Sequence, residues 1–213
     1  MAAENNNNLL YFGLAAAAVG LFAVSQSTAV QTLVRDTVTD YLSNNRINLL
    51  HPLVRQPARN FINAAEKKGI NLLVTDTLRT WLQQGNLYAI GCSCCSCGIG
   101  RTKPGSIVTN AKPGDSLHNY GLALDVVEIK NGILIGVVIC NSCGAIGYKQ
   151  DYPYARWQQI GAIGKSFGFE WGGDWTSFKD LPHFQMLFGK TLAQIKQLYL
   201  SGNRIGEYVN LAA

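Results

Sequence analysis

The chain has 213 residues and a formal charge of +5, from 18 Lys+Arg against 13 Asp+Glu, with 47% hydrophobic and 15% charged residues. That length supports one full-sized domain with some chain to spare and argues against two large ones. The composition excludes wholesale disorder, a coiled coil and collagen, and the absence of any Lys/Arg run leaves no expectation of a nucleic-acid partner.

From Asn5 to Val34 no residue is charged, and Leu9 to Val24 is apolar apart from Tyr11 and two glycines. At 1.5 Å per residue that apolar stretch covers about 24 Å, short of a hydrocarbon core of roughly 30 Å, and the uncharged continuation from Ser25 to Val34 extends it far enough to span. The segment is therefore expected to be a hydrophobic helix retained as a membrane anchor through residues about 9–30. A cleaved signal peptide is the alternative, although the leading MAAENNNN has no Lys or Arg. A helix buried against a partner protein is the third. Location follows the same choice: anchored in a cell envelope or virion membrane, or secreted.

Between Gln31 and Asn45, apolar residues at Leu33, Val34, Val38, Tyr41 and Leu42 keep helical spacing, with Asn44-Asn45 as a stop. Residues 1–47 are accordingly read as anchor and stalk, and 48–213 as a compact domain. Leu53 to Lys68 is predicted to be an amphipathic helix ended by Gly69, and Ile70 to Thr75 a buried strand. A short helix is expected over Arg79–Ala89. Strands are expected over Leu122–Ile129 and Ile133–Val138, joined by the turn Lys130-Asn131-Gly132. Helices follow over Tyr154–Phe167, ended at Gly168, and over Leu192–Leu200 behind Thr191 as N-cap. The order gives an α+β fold with a small antiparallel sheet flanked by helices.

Three histidines supply every imidazole in the chain: His51, His118 and His183. His51, beside Pro52, reads as a capping or surface residue. His118 alone in a polar loop would read as structural, but Asp125 follows seven residues later at a strand entry, where a buried carboxylate is costly unless paired or metal-bound. His183 follows Pro182, which favours an extended start to a strand. Two imidazoles and a carboxylate make a three-ligand zinc set with a fourth position left for water. Asp180, three residues before His183, is the nearest candidate general base.

The string Ser116-Leu-His-Asn-Tyr-Gly-Leu-Ala-Leu-Asp125 resembles the Ser-x-His-x-x-Gly-x-Ala-x-Asp signature of the zinc peptidases that include D-alanyl-D-alanine dipeptidases and carboxypeptidases and phage L-alanyl-D-glutamate endolysins. FGFEWGGDWTSFKDLPHFQ resembles the endolysin branch, with Asp-x-x-His before Phe where the carboxypeptidase branch has Glu-x-x-His. LHPLVRQPARNFINAAEKKGINLLVTDTLRT and GRTKPGSIVTNAKPGDS extend the resemblance over roughly residues 49–200. It implies a zinc site in a cleft, with Zn2+ held by His118, Asp125 and His183 and with Asp180 as general base and proton shuttle. It also implies that Arg79 lies over the active site, holding the scissile carbonyl oxygen or a substrate carboxylate. Ser116 is expected to make a supporting hydrogen bond to substrate or within the site.

The function so implied is a zinc-dependent peptidoglycan hydrolase that cuts the L-alanyl-D-glutamate bond of the stem peptide, tethered by its N-terminal segment. A virion or lysis apparatus, or a bacterial envelope, would suit it, with partner proteins there. A D,D-carboxypeptidase or dipeptidase of the same fold is the enzymatic alternative, and a non-catalytic wall-binding or structural membrane protein the alternative of another class. The departure from the family is a cysteine-rich insertion at about 91–99, with Cys92, Cys94, Cys95 and Cys97, joined by Cys140 and Cys143 further on. Disulfides, a second thiolate metal site, and free or lipidated thiols are the three readings. The run Glu170 to Trp175 reads equally as a substrate wall and as an aromatic-glycine turn packing the core.

Overall fold

In the computed structural model the described residues are 28–92, 103–104, 107–130, 133–135, 137–139, 146–148 and 153–212. Two units are distinguished, 1–41 and 42–213. Of the anchor expected over residues about 9–30, residues 9–27 lie outside the described residues, as do the cysteines from 94 to 143. Among the described residues no helix is long and apolar enough to cross a membrane.

In chain order the elements are helix α1 (Thr28–Asn48), helix α2 (Pro52–Glu66), strand β1 (Leu72–Asp76), helix α3 (Trp81–Tyr88), strand β2 (Ile90–Cys92) and strand β3 (Lys103–Pro104). A 3-10 turn (Leu117–Tyr120) then leads into β4 (Ala123–Lys130), β5 (Ile133–Ile135), β6 (Val137–Ile139) and β7 (Ile146–Tyr148). Helix α4 (Tyr154–Ser166), β8 (Glu170–Trp171), β9 (His183–Gln185), helix α5 (Leu192–Leu200) and the pair β10 (Arg204–Ile205) and β11 (Tyr208–Val209) complete the chain. The central sheet has the order β1-β4-β9-β8, with β5 also on β4, and all these pairings are antiparallel.

Helix α2 begins where His51 caps it, its Nδ1 accepting the Leu53 N–H at 3.2 Å, with Pro52 at the first position, where a missing N–H costs nothing. Its buried stripe is Val54, Ala58, Phe61 and Ala65, the spacing of one helical face. Phe61 meets Phe184 of β9 with ring centroids 4.7 Å apart, and Trp157 and Ile160 of α4 are buried in the same core. Burying each such side chain stabilises by about 1.5–3 kcal/mol. Leu72, Val74, Leu124, Val126, Trp171 and Phe184 are the sheet's contribution. Gly161 and Gly164 leave α4 bare where Trp171 and Phe184 lie against it; a Cβ there would stand 2.3 and 2.4 Å from those rings.

Several boundaries differ from the sequence expectation, and four of the differences are informative. Helix α1 runs on through Asn48, past the Asn44-Asn45 stop, where Ile47 is buried and Arg46 Nη1 donates to the Val74 carbonyl at 2.5 Å. Strand β1 starts at Leu72, because the Ile70 N–H is taken by the Ala65 carbonyl as α2 ends. Helix α3 starts at Trp81 because Thr80 is its N-cap, in a reciprocal capping box with Gln83. The single strand expected over Ile133–Val138 is two: β5 pairs with β4 and β6 pairs with β7, so the chain changes partner between Ile135 and Val137.

Register decides which side chains share a face. Asp125 of β4 pairs with His183 of β9, and Ala123 with Gln185. Asp76 of β1 pairs with Asp125, and Glu170 of β8 with Gln185. Side chains alternate along β4, β8 and β9, and a register shift between Val74 and Asp76 of β1 breaks the alternation there, so Asp76, Asp125, His183, Gln185 and Glu170 share one face and Val74, Leu124, Trp171 and Phe184 the other, which packs on the helices.

Candidate metal centre

His118 comes from the 3-10 turn before β4, and this turn is firmly held. Asn119 accepts the Gly114 N–H at 2.9 Å on Oδ1 and donates to the Arg79 carbonyl at 2.9 Å, while the Tyr120 hydroxyl donates to the Gly114 carbonyl at 2.8 Å. Burial, with Asp115 and Tyr199 adding to it, pushes the Tyr120 phenol up to about 12. Gly121 closes the turn at φ 67, and a Cβ there would lie 2.8 Å from the His51 backbone nitrogen. The glycine of the signature is thus required by backbone shape and by a neighbouring backbone.

Three donor atoms meet. His118 Nε2 is 3.2 Å from His183 Nδ1 and 3.3 Å from Asp125 Oδ1, and His183 Nδ1 is 3.1 Å from the same oxygen. A tetrahedral ion with bonds of about 2.0–2.1 Å has donor-to-donor edges of about 3.3 Å, so the triangle has the size of one tetrahedral face. The remote nitrogens say what the near ones carry. His118 Nδ1 faces the Thr77 carbonyl at 2.7 Å and His183 Nε2 faces Gln185 Oε1 at 3.0 Å. Each of these acceptors needs an N–H, which in neutral imidazoles leaves lone pairs on Nε2 of His118 and Nδ1 of His183. Two lone pairs and a carboxylate oxygen then converge with no hydrogen between them, an arrangement that repels itself and fits a cation.

The same convergence of acceptors attracts protons when no cation is bound. With the imidazoles protonated in place of a bound cation, burial acts to raise the Asp125 carboxyl, but the charge His118 then carries and the hydrogen bonds both rings then donate outweigh it and hold it well below the usual carboxylate range. Burial likewise acts to lower His183, yet the hydrogen bond and charge of Asp125, then Asp180 and Gln185, raise it above its ordinary value. The pocket keeps its anion and attracts positive charge.

The remaining expected residues fall around this triangle. Asp180 is in a turn whose carbonyl accepts the His183 N–H at 3.2 Å and whose N–H donates to the Gly172 carbonyl at 3.1 Å. Its charge acts on His183. Arg79 donates through Nε to Asp76 Oδ2 at 3.0 Å, through Nη2 to the same oxygen, and through Nη1 to Gln84 Oε1 at 2.7 Å. Its Nη2 is 3.8 Å from Asp125 Oδ2. Arg79 therefore flanks the ligand carboxylate and is itself braced. Ser116 precedes the 3-10 turn, and its side chain makes no capping bond there. His51 is away from the triangle, buried and donating from Nε2 to the Val209 carbonyl at 3.0 Å.

The two tryptophans of the aromatic-glycine run part company. Trp171 is core, its Nε1 donating to the Leu181 carbonyl at 2.7 Å, whereas the half-buried Trp175 lies 5.1 Å from the His183 ring. Asp76, Thr77, Gln84, Asn119 and Gln185 were not foreseen as site residues, and Glu170 only as part of the run read as a wall or a core turn. Only Gln185 had a local signal, two residues from His183 and so on the same face of a strand.

Residues 109–186 match the family model described as D-alanyl-D-alanine carboxypeptidase. The chain is 41% identical over 139 residues to the peptidoglycan L-alanyl-D-glutamate endopeptidase CwlK of Bacillus subtilis, covering 65% of this chain and 74% of that one. It is 31% identical over 139 residues to the L-alanyl-D-glutamate peptidase of Listeria phage A118, of which it spans 38%. Among solved structures, the L-Ala D-Glu endopeptidase ChiX of Serratia marcescens matches with TM-score 0.42 and 22% identity, over 69% of this chain and 87% of that one.

Proposed function

The chain belongs to the M15 peptidase family, and from that premise we propose that it is a zinc-dependent endopeptidase cutting the L-alanyl-D-glutamate bond of the peptidoglycan stem peptide. The observation that carries this is the convergence of His118 Nε2, Asp125 Oδ1 and His183 Nδ1, each 3.1–3.3 Å from the others with no hydrogen to share. The choice of bond draws support from the two relatives, both of which are L-alanyl-D-glutamate peptidases.

His118, Asp125 and His183 hold the metal. Zinc bound there supplies Lewis acidity and a nucleophile usable near neutral pH. Asp180, beside His183, accepts the proton of the attacking water and passes it to the leaving amine. Arg79 steadies Asp125 and presents fixed positive charge to oxygen as negative charge develops on it, and Ser116 supports the substrate from the start of the 3-10 turn. Trp175 walls the site beside His183. We infer an envelope location as well, with residues about 9–30 of the uncharged stretch as tether, in a virion or lysis apparatus or in a bacterial envelope; fractionation of the full-length chain with membranes tests it.

Digestion of defined peptidoglycan by the zinc-loaded protein, with mass spectrometry of the products, tests the reading. New L-alanine carboxyl and D-glutamate amino ends, abolished by chelator, are expected. Release of D-alanine would replace it with the carboxypeptidase reading that the family description favours. No cleavage at all would point to a wall-binding role.

A further inference from the structure

The third donor of the triangle depends on a hydrogen-bond chain that reaches the far edge of the sheet. Gln185 leaves β9 on the same face as His183, and Glu170 stands opposite Gln185 across the β8–β9 pair. Gln185 Nε2 donates to Glu170 Oε2 at 2.9 Å, and Gln185 Oε1 faces His183 Nε2 at 3.0 Å. A carboxylate accepts and does not donate, so Glu170 obliges the amide to turn its NH2 outward and its oxygen to the imidazole. That oxygen in turn obliges His183 to carry its proton on Nε2. The lone pair then falls on Nδ1, the atom 3.1 Å from Asp125 Oδ1.

We infer that Glu170 and Gln185 are positioning residues that fix the tautomer of His183 and so complete the metal centre. The inference rests on reading His118, Asp125 and His183 as a metal site and is independent of which bond is cut. Reversal of the amide would place its NH2 against His183 and select the Nδ1–H tautomer, which has no lone pair to give the triangle. Polarisation by the Glu170 carboxylate also makes the amide oxygen a better acceptor, so the chain strengthens the hydrogen bond it orients. His118 reaches the same end by another route, a backbone carbonyl, that of Thr77, whose orientation no side chain can change.

Two readouts decide it. In the zinc-free protein, long-range 15N–1H spectra of the three imidazoles report each tautomer; His183 is expected as Nε2–H. Zinc affinity, measured by competition with a chromogenic chelator, is expected to fall about 10–100-fold in Gln185→Leu, which keeps the bulk and removes the acceptor. The double variant Glu170→Gln with Gln185→Glu exchanges carboxylate and amide along the chain and still offers His183 an acceptor, so it is expected to recover both the affinity and the Nε2–H signal. Wild-type affinity in Gln185→Leu, or an Nδ1–H tautomer in the wild type, would overturn the inference. So would loss of affinity in Gln185→Leu, with the circular dichroism unchanged, that the exchanged pair fails to restore. Were the wild type itself not to take up zinc, the metal-site reading would fall, and the imidazole spectra would still decide the tautomer.

Discussion

Asp180 and Asp125 are carboxylates fifty-five residues apart in sequence that act on the same imidazole, and the proposed mechanism gives them different work. Asp125 is flanked by His118, His183 and Arg79 and stays ionised, as a ligand must. Asp180 acts on the triangle through its charge on His183 and through the turn that carries both. Asp180→Ala is therefore expected to lower the hydrolytic rate by about 10²–10⁴-fold while zinc binding persists, measured as turnover beside zinc content. Asp125→Asn should do the reverse, abolishing zinc uptake at neutral pH, as titration with zinc would show. Gly172 is the quiet member of the site. A Cβ there would lie 2.4 Å from the Asp180 carbonyl oxygen, so Gly172→Ala must push back the turn that holds Asp180 and His183. A loss of about 1–3 kcal/mol in a denaturant melt, with activity falling further than stability, is the expected result.

At the scale of elements, helix α2 and the β10–β11 pair are joined through one imidazole. His51 Nδ1 caps α2 and its Nε2–H reaches Val209 of β11, while Tyr208 packs on its ring at 5.5 Å. Burial lowers its pKa, the Val209 hydrogen bond acts against this, and the Arg55 charge adds to the lowering. A depressed folded value means that the unfolded chain binds the proton more readily, so stability rises with pH through that window. The contribution is complete above the ordinary value of 6.5 and is lost as pH falls below it, when Nδ1 can no longer accept. His51→Asn keeps a capping oxygen without a titrating group. Between pH 8 and pH 5 the wild type is expected to lose more melting temperature than the variant, and equal losses would refute the role given to His51. The strand shifts belong to this scale too. Thr80 caps α3, which starts at Trp81, and this leaves Arg79 in the connection from β1 with its backbone N–H on the His118 carbonyl at 2.9 Å and its guanidinium turned back to Asp76.

At the scale of the whole domain, the helices, the main strands and the α+β class were readable because each rests on local signals: the Val54, Ala58, Phe61, Ala65 stripe, the Thr191 cap, the largely apolar run through β4. His118, Asp125 and His183 were readable because ligand types are scarce in this chain and two of them lie seven residues apart. The expected role of the run from Glu170 to Trp175 was not, because one tryptophan entered the core and the other faced the site. Sequence by itself determined the donors: which imidazoles and carboxylates the chain owns, and the short spacing that ties His118 to Asp125 through one turn and one strand entry. Tertiary structure alone decided how those donors are presented. The β4–β9 register set Asp125 against His183, the β8–β9 register set Glu170 against Gln185, and the Thr77 carbonyl met His118 from forty-one residues away. Strand pairing has no period along the chain that a single sequence displays, so the atoms that fix a tautomer or brace an arginine become visible only when distant strands lie side by side.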